Sequence, residues 1–175
     1  LSPSAAITPA ADVTVVNQTV EARIGASADV DARRDVIVSA KAEEDLLSIA
    51  VAIAGSGAGA AVAAGVGVVV LTDTTTASVG NGATVGAGNN VLVQAGDTTD
   101  LDVIAGAIGA GSGGAGGAGV GVVVIDKTTD ANIGNATVDA GANGSAVAGM
   151  LNGDQGSDGS FGVAAMGGVL VQSQS

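Results

Sequence analysis

Apolar residues alternate with polar or small ones along much of this chain. In "VIVSA" (36–40) and "VLVQA" (91–95), Val36, Val38 and Ala40 fall on one side, as do Val91, Val93 and Ala95. A period of two is the mark of a β-strand. Gly, Asn, Asp and the Ala-Arg-Arg of 32–34 separate the runs and suit tight corners. The alternate positions are also apolar: Ile37, Leu92 and Leu170 occupy equivalent places. A strand apolar on both sides is usually buried on both sides. Part of the outer wall is therefore expected to be covered by its own chain, a neighbour or a second copy. Singly scattered exposed aliphatics are the alternative.

The alternation recurs at long range. "ARIGASADVDARRDVIVSA" (22–40) aligns with "ASVGNGATVGAGNNVLVQA" (77–95), and "ANIGNATVDA" (131–140) begins a third copy. Gly25, Gly80 and Gly134 mark the frame at spacings of 55 and 54 residues. Two matching segments, 48–75 and 102–129, lie between the copies and end in valine runs. The third copy breaks after Ala140 and resumes at Val169 with "VLVQS". The intervening insertion, at about 141–166, holds Met150, Phe161 and Met166. Runs of ~5 residues with short corners predict an all-β fold, a parallel β-solenoid (β-helix) with a small-residue core. At roughly 20 residues per coil, each repeat of about 54 holds two or three coils. Residues 1–11, with Pro3 and Pro9, are expected as an extended arm before one solenoid domain over 12–175. The chain opens on Leu1 and enters and leaves its repeat mid-unit, as a processed or excised chain would. Any export signal is then expected to have been removed or to lie outside this sequence.

The small-residue segments invite other readings. Residues 46–71 and 103–125 carry no charge and are long enough to cross a bilayer. Nine glycines in 103–125 argue against a helix, at about 1 kcal/mol each relative to Ala. No basic cluster or aromatic belt flanks them, so membrane spans are not expected. "GSGGAG" (111–116) fits G-x-G-x-x-G but precedes a valine strand, not a helix, so no dinucleotide site is expected. Small-residue strands that let two layers approach closely fit best.

Composition narrows the chemistry. Seventeen acidic residues against five basic give a net charge of −12, which repels nucleic acid and anionic membranes. With no Cys and no His, Ser-His and Cys-His nucleophile systems are absent. The protein is not expected to be an enzyme. Glu43, Glu44 and Asp45 sit beside Lys41 and read as a solvated corner. The threonines at 74–76 and 128–129 also read as corners, too widely spaced for an ice-binding array. "NGDQGSDGS" (152–160) offers Asn152, Asp154 and Asp158 as oxygen ligands for calcium. It matches neither the EF-hand nor the nonapeptide calcium roll, and a metal-free polar turn is the alternative. No other cofactor is expected.

The pairing of "A-x-I-G-x-x-A-x-V-x-A…V-x-V-x-A" with "A-G-V-G-V-V-V-x-D-x-T-T-x-A-x-I-G" resembles the repeats of very large bacterial exoproteins. These are filamentous-haemagglutinin-like and leukotoxin-like adhesins and autotransporter passengers. The resemblance covers about 12–140 and 167–173. It implies a right-handed parallel β-solenoid, export to the cell surface or beyond, and a structural or adhesive role without catalytic residues. Family members run to many repeats, whereas this chain has barely three. The expected function is a secreted structural subunit that polymerises with itself by strand addition and end-to-end stacking. Pro3, Pro9, Ile37, Leu92, Leu170, Met150, Phe161 and Met166 are the candidate contact residues. The alternative is an adhesin stalk fragment that binds a cell-surface receptor or matrix.

Overall fold

The computed structural model describes residues 5–155 and 161–175, apart from the side chains of 149–155, 161 and 163. The chain is all-β with parallel sheets. It makes one succession of elements twice in full: β1 (Ala6–Ile24), β2 (Asp29–Ala32) and β3 (Val36–Ser56), then β4 (Ala61–Val79), β5 (Thr84–Ala87) and β6 (Val91–Gly111). A third pass gives β7 (Ala115–Ile133), β8 (Thr137–Ala140), β9 (Val147–Gln155), β10 (Phe161–Met166) and β11 (Val169–Gln174). Among the described residues no helix is long and apolar enough to cross a membrane, which says nothing of a β-barrel.

Three sheets have three strands each, ordered β1-β4-β7, β2-β5-β8 and β11-β6-β3. The short sheet is parallel and in step, with Asp29 opposite Thr84 and Thr84 opposite Thr137. Strand β11 runs parallel to β6, placing Leu170 opposite Leu92. In the first sheet, bonds join like ends of the strands. Ala6 N donates to Ala60 O and Gly80 N to Ile24 O, both at 2.9 Å. Ala61 N donates to Gly114 O at 3.0 Å and Gly134 N to Val79 O at 2.9 Å. All three strands have 19 residues and match at both ends, so their register is unbroken.

The expectation of roughly 20 residues per coil is corrected. The pairing partners Asp29 and Thr84 are separated by two long strands, so the chain travels much further before it returns. The reason is local. The segments at Glu43–Asp45, Thr74–Thr76 and Thr128–Thr129 lack Gly, Pro and Asn, and all three stay extended inside β3, β4 and β7. They are not corners. The turns carry glycine or a positive φ, except Arg33–Asp35 between β2 and β3. Ser27 (φ 58°) and Gly82 (φ 73°) hold the same place in successive turns, where a left-handed residue reverses the chain.

The arm expected over 1–11 is strand from Ala6 onward, and Pro9 lies within β1. Residues 1–4, with Pro3, lie outside the described residues. The insertion holds β9 and β10, which pair antiparallel, unlike the strands around them.

The chain gathers into two compact units. One comprises residues 1–18, 43–73 and 99–127, and the other 19–42, 74–98 and 128–175. The second unit holds a conventional β core. Val36, Val38, Val79, Val85, Val91 and Val93 are buried together, flanked by Ile24, Val30, Ile133 and Val138.

The first unit inverts the usual arrangement. Ala50, Ala52 and Ala54 of β3 face inward, while Leu47, Ile49, Val51 and Ile53 are exposed. Ala61 and Ala63 of β4 are also buried, and Val62 and Val66 are exposed. Backbone proximity is the cause. A Cβ on Gly65 would lie 2.4 Å from Gly106 O and 2.7 Å from Ala50 O. A Cβ on Gly119 would meet Ala105 O at 2.4 Å, and one on Gly109 would meet Gly116 O at 2.5 Å. The two walls are thus closer than the ~10 Å of ordinary face-to-face sheets. At these glycines no branched side chain fits, whereas Val69 and Leu71 further along β4 are fully buried.

Candidate functional site

The first unit carries a polar network in its interior. Glu44, on β3, is buried. Gln18 Nε2 donates to its Oε1 and Thr99 Oγ1 to its Oε2, each at 2.8 Å. Lys127 Nζ donates to Thr99 Oγ1 at 2.6 Å. Asp73 is buried nearby, with a carboxylate oxygen within 4.8 Å of one from Glu44. Ser48 donates to Asp12 in the same unit. A carboxylate leaves water at a cost of several kcal/mol unless hydrogen bonds replace its hydration. Glu44 has two such donors. With both carboxylate oxygens bonded, Glu44 reads as a structural element of the interior.

The sequence signal placed Glu43–Asp45 in a solvated corner. Glu43 and Asp45 are indeed exposed, but Glu44 between them is buried. The period of two that carries Ala42 inward carries Glu44 inward as well, and that parity is what could have found it. Replacing Glu44 by Ala is expected to destabilise the protein by about 1–3 kcal/mol, because Gln18 and Thr99 lose their acceptor. The urea midpoint followed by circular dichroism checks this.

The second unit has a side-chain ladder at the corner before β6. Asn90 Nδ2 donates to Asp35 Oδ1 (2.8 Å) and Ser145 O (3.0 Å), and its Oδ1 accepts from Gly168 N (2.9 Å). Asn89 Nδ2 also donates to Asp35 Oδ1 (2.9 Å) and Ser145 O (2.8 Å), and Gly144 N donates to Asn89 Oδ1 (2.8 Å). Outside the corner, Gln94 Nε2 donates to Ser39 Oγ at 2.9 Å, and Gln172 Nε2 lies 3.5 Å from Gln94 Oε1. This face lines a polar cleft of about 260 Å³.

The expected contact residues fall in different places. Ile37 is 57% exposed, whereas Leu92 is 3% exposed and Leu170 half-buried. The row they form is covered at its middle strand and open at β3. Pro9 is exposed on β1. Met166 is half-buried on β10, and the Cα partners of Met150, Phe161 and Met166 are Ala164, Gln155 and Val147. The side chains of Met150, Phe161, Asn152 and Asp154 lie outside the described residues, as does Asp158 entirely, so the structure places no calcium ligand set there.

Strand addition needs an open strand edge, and the sequence did not locate it. Strand β7 ends the order of its sheet, bonded to β4 alone, and Ala115–Asp126 is exposed on both faces. Val120, Val122, Val123, Val124 and Ile125 are each 43–53% exposed. Strand β1 is the opposite edge of the same sheet. No family model, curated protein or solved structure matches the chain.

Proposed function

We propose that the chain is a non-enzymatic structural subunit, a parallel β-solenoid with a repeat of about 54 residues, that grows into a filament outside the bacterial cell. The observation that carries the reading is the β7 edge. It is long, uncharged from Ala115 to Ile125 and open on both faces. Exposed edges of this kind are templates for strand addition. The other edge, β1, shares the register of β7 through β4, so β1 of one copy laid on β7 of another continues the same ladder. In that arrangement Thr14 falls beside Val123 and Val16 beside Ile125. Each copy leaves one edge free, so addition is head to tail and does not close.

Charge on the exposed strand separates this from a monomeric role. The double variant Val123→Lys/Ile125→Lys is expected to prevent fibres that the unmodified chain forms. Negative-stain images and pelleting read the result. A wild-type chain that stays monomeric at high concentration overturns the reading. It would favour the second one, an adhesin stalk fragment whose β9–β10 segment contacts a receptor or matrix. The antiparallel pairing of that segment, in an otherwise parallel chain, is what favours it.

A further inference from the structure

The outer wall of β1, β4 and β7 in the first unit is a second, independent surface. With the register set by the end bonds, Val13, Val68 and Val122 form one row across the sheet, and Val15, Val70 and Val124 form the next. Exposure of Val13 (66%), Val15 (59%), Val122 (43%) and Val124 (50%) shows that the chain itself does not cover these rows. With Ile7, Val62, Val66 and Val120, the wall presents on the order of 700 Å² of aliphatic surface, above the ~300–600 Å² of a typical monomer's largest patch.

We propose that this wall is a dry lateral interface on which the same wall of a second copy seats, face to face. Four observations choose that occupant. Paired walls would bury on the order of 1,400 Å², within the ~1,200–2,000 Å² of specific stable interfaces. The wall carries no charge over Val62–Leu71 and Ala115–Ile125, so the net charge of −12 does not oppose contact there, and a charged partner finds no counter-charge. Rows of identical β-branched residues at the regular spacing of a parallel sheet are self-complementary, and such faces interdigitate without water. Lipid fits less well. The open edges of β1 and β7 would leave backbone groups unbonded in hydrocarbon, at several kcal/mol each.

This contact is lateral, whereas strand addition is axial. Together they give a sheet-like layer or paired filaments in place of a single thread. The inference does not rest on axial growth, and the two fail separately. The test is sedimentation velocity of the full chain. The chain carrying Val123→Lys/Ile125→Lys is expected to sediment as a pair, at twice 16.1 kDa. Adding Val66→Glu/Val122→Glu should reduce it to a single chain with an unchanged circular dichroism spectrum. In the chain without the lysine changes, Val66→Glu/Val122→Glu should leave single threads in negative stain. Pairs that survive Val66→Glu/Val122→Glu overturn the proposal. So does a chain that dissociates on Val51→Glu, on the opposite wall, but not on Val66→Glu/Val122→Glu. Flotation of the unpaired chain with phosphatidylcholine vesicles assigns the wall to lipid and also overturns it.

Discussion

Gly65→Val is expected to be the most damaging single substitution in the first unit, costing about 3 kcal/mol or more as overpacking against backbone. A Cβ there would lie 2.4 Å from Gly106 O and 2.7 Å from Ala50 O. Both obstacles are main-chain carbonyls in the facing wall, so no rotamer change relieves the clash. The walls must separate, and every neighbouring Ala loses its contacts with them. Ala52, Ala54, Ala61 and Ala63, with Ala10 and Ala107 against them, form the apolar cluster at this end of the unit. Each buried methyl contributes about 0.8 kcal/mol, so close approach matters more in this unit than side-chain bulk. Gly106→Ala is the control. A Cβ at Gly106 meets nothing within 4 Å, and the change is expected to be neutral or stabilising by up to about 1 kcal/mol. Thermal unfolding followed by circular dichroism reads both. A Gly65→Val melting point equal to wild type would show that the walls are not held this close.

The sequence made the strands legible because their parity is strict. Val36, Val38 and Ala40 share an inward face in the structure, as do Val91, Val93 and Ala95. The two glycine-rich segments also read correctly as small-residue strands that admit close approach. Coil length did not read correctly. Polar triplets such as Glu43–Asp45 and Thr74–Thr76 look like corners to a local rule, yet nothing in them turns the backbone. Only the facing strand decides that such residues stay extended; once they do, the parity that runs through Ala42 carries Glu44 inward. The exposed aliphatics were half legible. The alternation of residues shows that β3 has two kinds of face, Ala on one and Leu, Ile or Val on the other. Size alone would put the larger set inside. The narrow gap between walls reverses that choice, and it is a property of Gly65, Gly109, Gly117 and Gly119 acting across the two sheets. The β7 edge was not legible, because an edge is defined by the absence of a neighbour in space.

The second large effect is expected at Asn90, in the other unit. Its side chain is 1% exposed and makes three hydrogen bonds that join separate passes of the chain. Asn90→Ala removes two donors and one acceptor at once. Ser145 O loses one of its two amide donors, Asp35 keeps Asn89 and the Asn90 backbone N–H, and Gly168 N loses its acceptor. Leaving a buried polar group unsatisfied costs about 1–3 kcal/mol, more where charge is involved. A loss on the order of 3 kcal/mol is therefore expected. Leu in place of Asn90 keeps the volume and should do no better, since the deficit is in hydrogen bonds. Asn90→Asp should be worse at neutral pH, because it sets a second carboxylate beside Asp35 with no donor between them. The loss also has a location. Gly168 N is held by Asn90 Oδ1, and Val91 N donates to Gly168 O at 3.0 Å just where β11 begins to pair with β6. Amide exchange at Gly168 and Val169 should accelerate in Asn90→Ala before exchange at Val85 does. Uniform acceleration across the unit would mean that Asn90 supports the whole core, and an unchanged rate at Gly168 would mean that the ladder does not hold β11 in place.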